Sequence, residues 1–172
     1  FYLKKFSIFS FSYLLLVGLI TQTIKHLVGR PRPNHSQLDG SFEFNFFSTE
    51  SSFHSFPSGH SSTIIAITII MVLSSPKLKY FFYFFGFLIA LSRVVVGAHF
   101  LTDVIGGAII AISVYKVFDF FIKIKYPNIH WGGLKISKTS MLTNVLIVFF
   151  ILAVFVTVGP SLDLYISSLF YY

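Results

Sequence analysis

The 172-residue sequence has no cysteine, one tryptophan and only six acidic side chains. Without cysteine neither a disulfide framework nor a thiolate metal site can form, and the redox compartment leaves no mark on the chain. Charged residues make up 11% of the total, against roughly 25% in an average soluble domain. That scarcity excludes an ordinary water-covered surface. The formal charge of +7 does not point to nucleic acid, because the bases sit at the ends of apolar runs and form no basic stretch interleaved with polar residues. Low-complexity tracts and repeats at a fixed period are also missing. What remains is 55% hydrophobic and carries 23 Phe and 9 Tyr, an aromatic-rich apolar mass suited to spans anchored at lipid headgroups. The composition is that of an integral membrane protein, and the fold it implies is all-α, a polytopic transmembrane helix bundle.

Five apolar segments give the expected spans: Phe6 to Ile24, Ser61 to Leu73, Tyr80 to Val96, Leu101 to Phe121, and Leu142 to Val158. Most approach the length that crosses about 30 Å of hydrocarbon as a helix. The second does so only if its helix starts back at Ser58 and runs on to Ser75, where Pro76 ends it. The first run is long and lacks a small-residue cleavage site, so it does not read as a signal peptide. If the spans alternate, Lys4, Lys5, Lys77, Lys79, Lys116, Lys123, Lys125, Lys135 and Lys138 share one side. By the positive-inside rule that side is cytoplasmic. Lys25, Arg30, Arg32 and Arg93 then fall on the outer face, where topology alone would not put them. The same face receives the long polar loop from Arg30 to Phe56, and loops of that length are usually functional or mobile.

Three clusters on that face carry chemistry. In Lys25-His26-Leu27-Val28-Gly29-Arg30-Pro31-Arg32-Pro33, two prolines stiffen the chain around Arg32, and a rigid guanidinium with an ammonium nearby grips phosphate at several oxygens. The bland alternative is a snorkelling basic anchor. Pro57-Ser58-Gly59-His60 opens the second span and offers free backbone N–H groups at the positive end of a helix dipole, with His60 beside any bound anion. A plain N-cap explains the same tetrapeptide. In Ser92-Arg93-Val94-Val95-Val96-Gly97-Ala98-His99-Phe100-Leu101-Thr102-Asp103, a helix beginning near Gly97 would set Asp103 one turn beyond His99 on the same face. That step fixes a histidine's tautomer and makes its other nitrogen a better nucleophile or base, although a buried histidine merely satisfied by a carboxylate fits too. Alternating topology brings all three clusters to one face.

Lys25 followed by Arg32-Pro33, then Pro57-Ser58-Gly59-His60, then Ser92-Arg93 with His99 and Asp103, resembles the three-part signature of the type 2 phosphatidic acid phosphatase and haloperoxidase superfamily, in its membrane lipid phosphatase branch. The resemblance covers residues 10 to 121. It implies that Lys25, Arg32, Arg93, the Ser58 hydroxyl and the Gly59 N–H bind phosphate oxygens. It further implies that His99 attacks phosphorus, that Asp103 orients it, and that His60 protonates the leaving oxygen. No metal and no other cofactor is implied, since the cations and helix N–H groups supply the charge stabilisation. The expected function is a membrane phosphatase that hydrolyses the phosphomonoester or diphosphate of an amphiphilic lipid at the outer leaflet, in a bacterial inner membrane with the site facing the periplasm. A phosphotransferase using the same phosphohistidine is the alternative enzyme. A non-catalytic lipid-headgroup binder is the alternative outside enzymes, and intact His60, His99 and Asp103 argue against it.

The expected organisation is a catalytic core over residues 1–125, incomplete at its N-terminus, followed over 126–172 by a cytoplasmic connector, an extra span and an outer-face tail. The ending Gly159-Pro160-Ser161-Leu162-Asp163-Leu164 with Phe170-Tyr171-Tyr172 is similar to the first span and outer turn with which some bacterial lipid phosphatases of this family begin. A piece cut from a tandem or permuted arrangement would look this way. Phe44, Phe46, Phe47, Phe53 and Phe56 are expected to line an acyl path. His35 and His54 with Asp39, Glu43 or Glu50 lack helical ligand spacing for a metal, and Asn34-His35-Ser36 fits a glycosylation acceptor.

Overall fold

The computed structural model describes residues 2–34 and 43–125, with Phe150, Leu162, Asp163 and Tyr165 beyond them. Four long helices carry the described residues: α1 (Tyr2–Val28), α2 (Gly59–Ser74), α3 (Lys79–Val95) and α4 (Leu101–Lys125). Short 3-10 turns at Ser51–Phe53 and Pro76–Leu78 join them, and there is no strand among the described residues. Three stretches, Lys5–Val28, Pro76–Val95 and Leu101–Ile124, are long and apolar enough to cross a membrane. The fifth expected span, 142–158, lies outside the described residues apart from Phe150, as do His35, Ser36 and Asp39.

The second expected span comes out shorter than the pattern allowed. Ser58 and Ser75 are its caps, not its first and last turns, and at about 1.5 Å per residue its helix is roughly 24 Å long. It is instead the most enclosed element, packed on α1, α3 and α4. The core lies between α1, α2 and α4: Phe9, Tyr13 and Val17 meet Ala66, Ile69 and Leu73, and both groups meet Ile110, Ala111, Val114 and Tyr115. Tyr13 satisfies its hydroxyl on the Ala111 carbonyl at 2.7 Å. By contrast α3 turns Phe81, Phe84, Phe85 and Phe87 outward, as a helix does whose far side meets lipid.

The core stripe of α1 also delivers chemistry. Phe9, Tyr13, Val17, Thr21 and Lys25 recur every four residues, so they lie on one face, and all five are buried. The stripe turns polar only at its last two members. Thr21 donates to Ser62 of α2 at 3.1 Å, one turn below Lys25. The end of α1, the start of α2, the end of α3 and the start of α4 therefore meet at one end of the bundle. Close approach of α2 and α4 there depends on Gly107: a Cβ on it would stand 2.5 Å from the Ser58 carbonyl oxygen and 3.0 Å from the Ser62 nitrogen.

Candidate active site

Asp103 is the hub of this end of the bundle, with a side chain that is fully buried. It occupies the first turn of α4, and its Oδ2 accepts from the backbone N–H of Phe100 at 2.9 Å while the Phe100 carbonyl accepts from Asp103 N–H at 3.1 Å. The side-chain bond of that pair is the acidic half of a capping box. The same Oδ2 accepts from Ser55 Oγ at 2.5 Å, and Oδ1 accepts from Arg30 Nη1 at 2.7 Å. The Asp103 carbonyl in turn accepts from Ser58 N–H at 2.9 Å. Cap, cluster and inter-helix tie thus share one residue.

His99 stands outside the helix. The helix begins at Leu101, not near Gly97, because α3 closes in a Schellman turn that uses up those residues. Gly97 has φ +70°, its N–H bonds the Val94 carbonyl at 2.8 Å, and Ala98 N–H bonds the Arg93 carbonyl at 3.1 Å. His99 N–H reaches the same Arg93 oxygen at 3.2 Å. The loop nevertheless lays His99 Nδ1 3.6 Å from Asp103 Oδ2, an ion-pair distance longer than a hydrogen bond. Burial lowers the His99 pKa below the ordinary histidine value, and Asp103 opposes that shift without cancelling it.

The expected phosphate ligands lie at the same end of the bundle as this imidazole. Lys25 is buried and its Nζ donates to the His54 carbonyl at 2.7 Å; a methyl on Gly59 would lie 3.5 Å from its Cε. Lys25 and Arg32 both act electrostatically on His99, and His60 feels Arg93, His99, Lys25 and Arg32. Arg93, in the last turn of α3, has a buried Nε with no hydrogen-bond partner among the described residues. Ser58 caps α2, accepting from Ser61 N–H at 3.3 Å and from the Ser61 hydroxyl at 2.9 Å, which leaves its own hydroxyl hydrogen to donate. Arg32 is drawn partly aside, its Nε donating to the Ser51 carbonyl at 3.0 Å.

The loop around Arg32 is stitched by backbone. Asn45 N–H reaches the Gly29 carbonyl at 2.8 Å, Arg32 N–H the Ser52 carbonyl at 2.9 Å, and Ser55 N–H the Arg30 carbonyl at 3.0 Å. Gly29, at φ +57°, has no room for a side chain against Asn45. His26 and His54, with rings 4.3 Å apart, both converge on the Ser48 carbonyl. Among the described residues no three His, Cys, Asp or Glu side chains are placed to hold a metal ion. Phe56 does not line an acyl path: it is buried against Gly106, whereas Phe46 and Phe47 are exposed.

Sequence reading passed over Ser55, Arg30 and Thr102. Arg30 is fully buried, with Nη1 also donating to Thr102 Oγ1 at 2.7 Å and its guanidinium 4.8 Å from the Phe100 ring centroid. Its only signal in the sequence was being a cation on the unexpected face. Ser55 had none.

The family model for the PAP2 superfamily matches residues 7–127. Among curated proteins, the chain is 36% identical over 106 residues to a lipid A 1-phosphatase of Rhizobium etli, covering 62% of this chain and 46% of the relative. A lipid A 1-phosphatase of Rhizobium johnstonii is 37% identical over the same length, covering 62% and 43%. Undecaprenyl-diphosphatase BcrC of Bacillus subtilis is 36% identical over 73 residues, covering 42% and 38%. The chain thus spans less than half the length of these relatives. No solved structure matches it. With a family match over residues 7–127, which takes in most of α1, the other three helices and every candidate residue from Lys25 to Asp103, the chain belongs to the PAP2 superfamily.

Proposed function

We propose that the chain carries the catalytic core of a membrane lipid phosphatase, hydrolysing the phosphomonoester or diphosphate of an amphiphilic lipid through a phosphohistidine on His99. The observation that carries this reading is a buried imidazole with one nitrogen toward a fixed carboxylate and with Lys25 and Arg32 close enough to act on it. Burial keeps His99 neutral near pH 7, and Nε2 is then a free nucleophile.

In the first step Nε2 bonds to phosphorus as the bond to the lipid oxygen breaks. Asp103 stabilises the imidazolium that forms. Lys25, Arg32, Arg93, the Ser58 hydroxyl and the Gly59 N–H take up the charge on the phosphoryl oxygens, which is the main task in phosphoryl transfer. His60 gives its proton to the leaving oxygen. In the second step His60 takes a proton from water, the water oxygen bonds to phosphorus, and the P–N bond breaks to return neutral His99 and release inorganic phosphate. The names of the relatives support a lipid substrate with a saccharide or polyprenyl body. An outer-leaflet site finds support in the lysines at the opposite end of the bundle, Lys5, Lys77, Lys79 and Lys123.

Phosphate release from lipid A, undecaprenyl diphosphate, phosphatidic acid and phosphatidylglycerol phosphate in detergent tests the reading. Release by the parent is expected, with a loss of roughly a thousandfold or more in His99→Ala, and an alkaline quench of labelled substrate should leave label on His99. No release from any lipid together with no labelled histidine overturns it.

A further inference from the structure

We propose that Asp163 is a positioning residue of this active site, which clamps Arg30 and Thr102 and through Arg30 fixes the Asp103 carboxylate behind His99. The inference rests on the phosphatase reading above. Asp163 lies 36 positions beyond the last residue that the family model matches, residue 127, in the stretch that the sequence assigned to an outer-face tail.

Its carboxylate is nonetheless buried at the start of α4, at 1% exposure. Oδ2 accepts from Arg30 Nη2 at 2.5 Å and from the Thr102 hydroxyl, and Oδ1 accepts from Thr102 N–H at 3.2 Å. Burial pushes its carboxyl up, against the Thr102 and Arg30 contacts that favour the ion. Because the guanidinium, the backbone amide and the threonine hydroxyl all donate to it, the ionised form is the one this geometry fits.

Two consequences follow. Arg30 is held from both ends, Nη1 on Asp103 and Nη2 on Asp163, so its guanidinium plane and the Asp103 carboxylate it faces have one arrangement. The charge count matters as well. Arg30 alone would neutralise Asp103. With Asp163 added, one guanidinium serves two carboxylates, and the trio of Arg30, Asp103 and Asp163 carries one net negative charge, which opposes the cations Lys25 and Arg32 that also act on His99 and favours an imidazolium there. Asp163 is also the side chain that satisfies the orphan N–H of Thr102 in the first turn of α4.

The test compares the full chain with Asp163→Asn, which keeps the shape and an acceptor for Thr102 N–H but removes the charge. Expected is a fall of about 10- to 100-fold in kcat, as for groups that orient a reacting residue through one intermediate, with KM within about threefold. The 15N NMR titration of His99 should move to lower pH by on the order of half a unit to one unit. In an Arg30→Lys background the same substitution should cost much less, because both changes break one chain of contacts. A variant with parental kcat and an unmoved His99 titration overturns the proposal, even if it melts earlier, since a purely structural carboxylate would change stability alone. Should Asp163→Asn not fold, Thr102→Val carries the same two readouts by exchanging only the hydroxyl that bridges Arg30 and Asp163 for a methyl. If the parent releases no phosphate from any lipid, the phosphatase reading fails, while the His99 titration still decides the role of Asp163 without turnover.

Discussion

At His99 the physics of burial and the needs of catalysis agree. Desolvation disfavours the imidazolium, so the folded pKa lies below the usual histidine value. The neutral nucleophile is the form present above that depressed pKa and is lost as pH falls through it. The acid limb of kcat/KM is therefore expected below the ordinary histidine range of about 6.5, and a pH–rate profile with its acid limb above 7 would contradict the assignment of His99 as nucleophile. Lys25, His60 and Asp103 were singled out in the sequence as candidates because each chemical group is accompanied by a residue that shapes backbone, a proline or glycine nearby. Arg30 was not. Two positions from Arg32, it has the same side chain and the same local company, and only the fold separates the one buried on Asp103 from the one bonded to a loop carbonyl.

At the level of helices, the site depends on where four ends stop, and stops were harder to read than spans. The apolar pattern located the four described helices, and α2 outruns its apolar segment Ser61–Leu73 to stop between the capping serines Ser58 and Ser75. The i, i+4 step from His99 to Asp103 was read as one helical face. The contact exists for a different reason, since a Schellman turn at Gly97 spends the residues before Leu101 and hands His99 to a loop. What lets α2 and α4 share the site is the bare backbone of Gly107. Gly107→Ala should push a methyl against the Ser58 carbonyl and Ser62 amide and cost about 1–3 kcal/mol of stability, seen as earlier melting in detergent. It should also lower phosphate release at temperatures where the variant is folded, because Ser58 N–H is tied to the Asp103 carbonyl; unchanged melting would show that the helices can part without cost.

At the scale of the chain, the absence of cysteine from its 172 residues lets a single introduced thiol report orientation. Asn34 and Lys77 are both exposed and lie toward opposite ends of the bundle. A membrane-impermeant maleimide added to intact cells is expected to label Asn34→Cys and to spare Lys77→Cys; the reverse pattern would turn the site toward the cytoplasm. The long-range partner of the site, Asp163, was beyond sequence reading because 61 residues separate it from Thr102 and no local spacing connects them. In a bilayer that thickens, thins and jostles its helices, one backbone oxygen ties two parts of the site together. The Arg93 carbonyl carries the amides of both Ala98 and His99, so the cation proposed to hold the phosphate and the imidazole proposed to attack it hang from a single peptide group. Any tilt or piston motion of α3 displaces both by nearly the same vector. Such a displacement is common to the two, so the spacing of the Arg93 and His99 backbones is kept while α3 shifts against lipid.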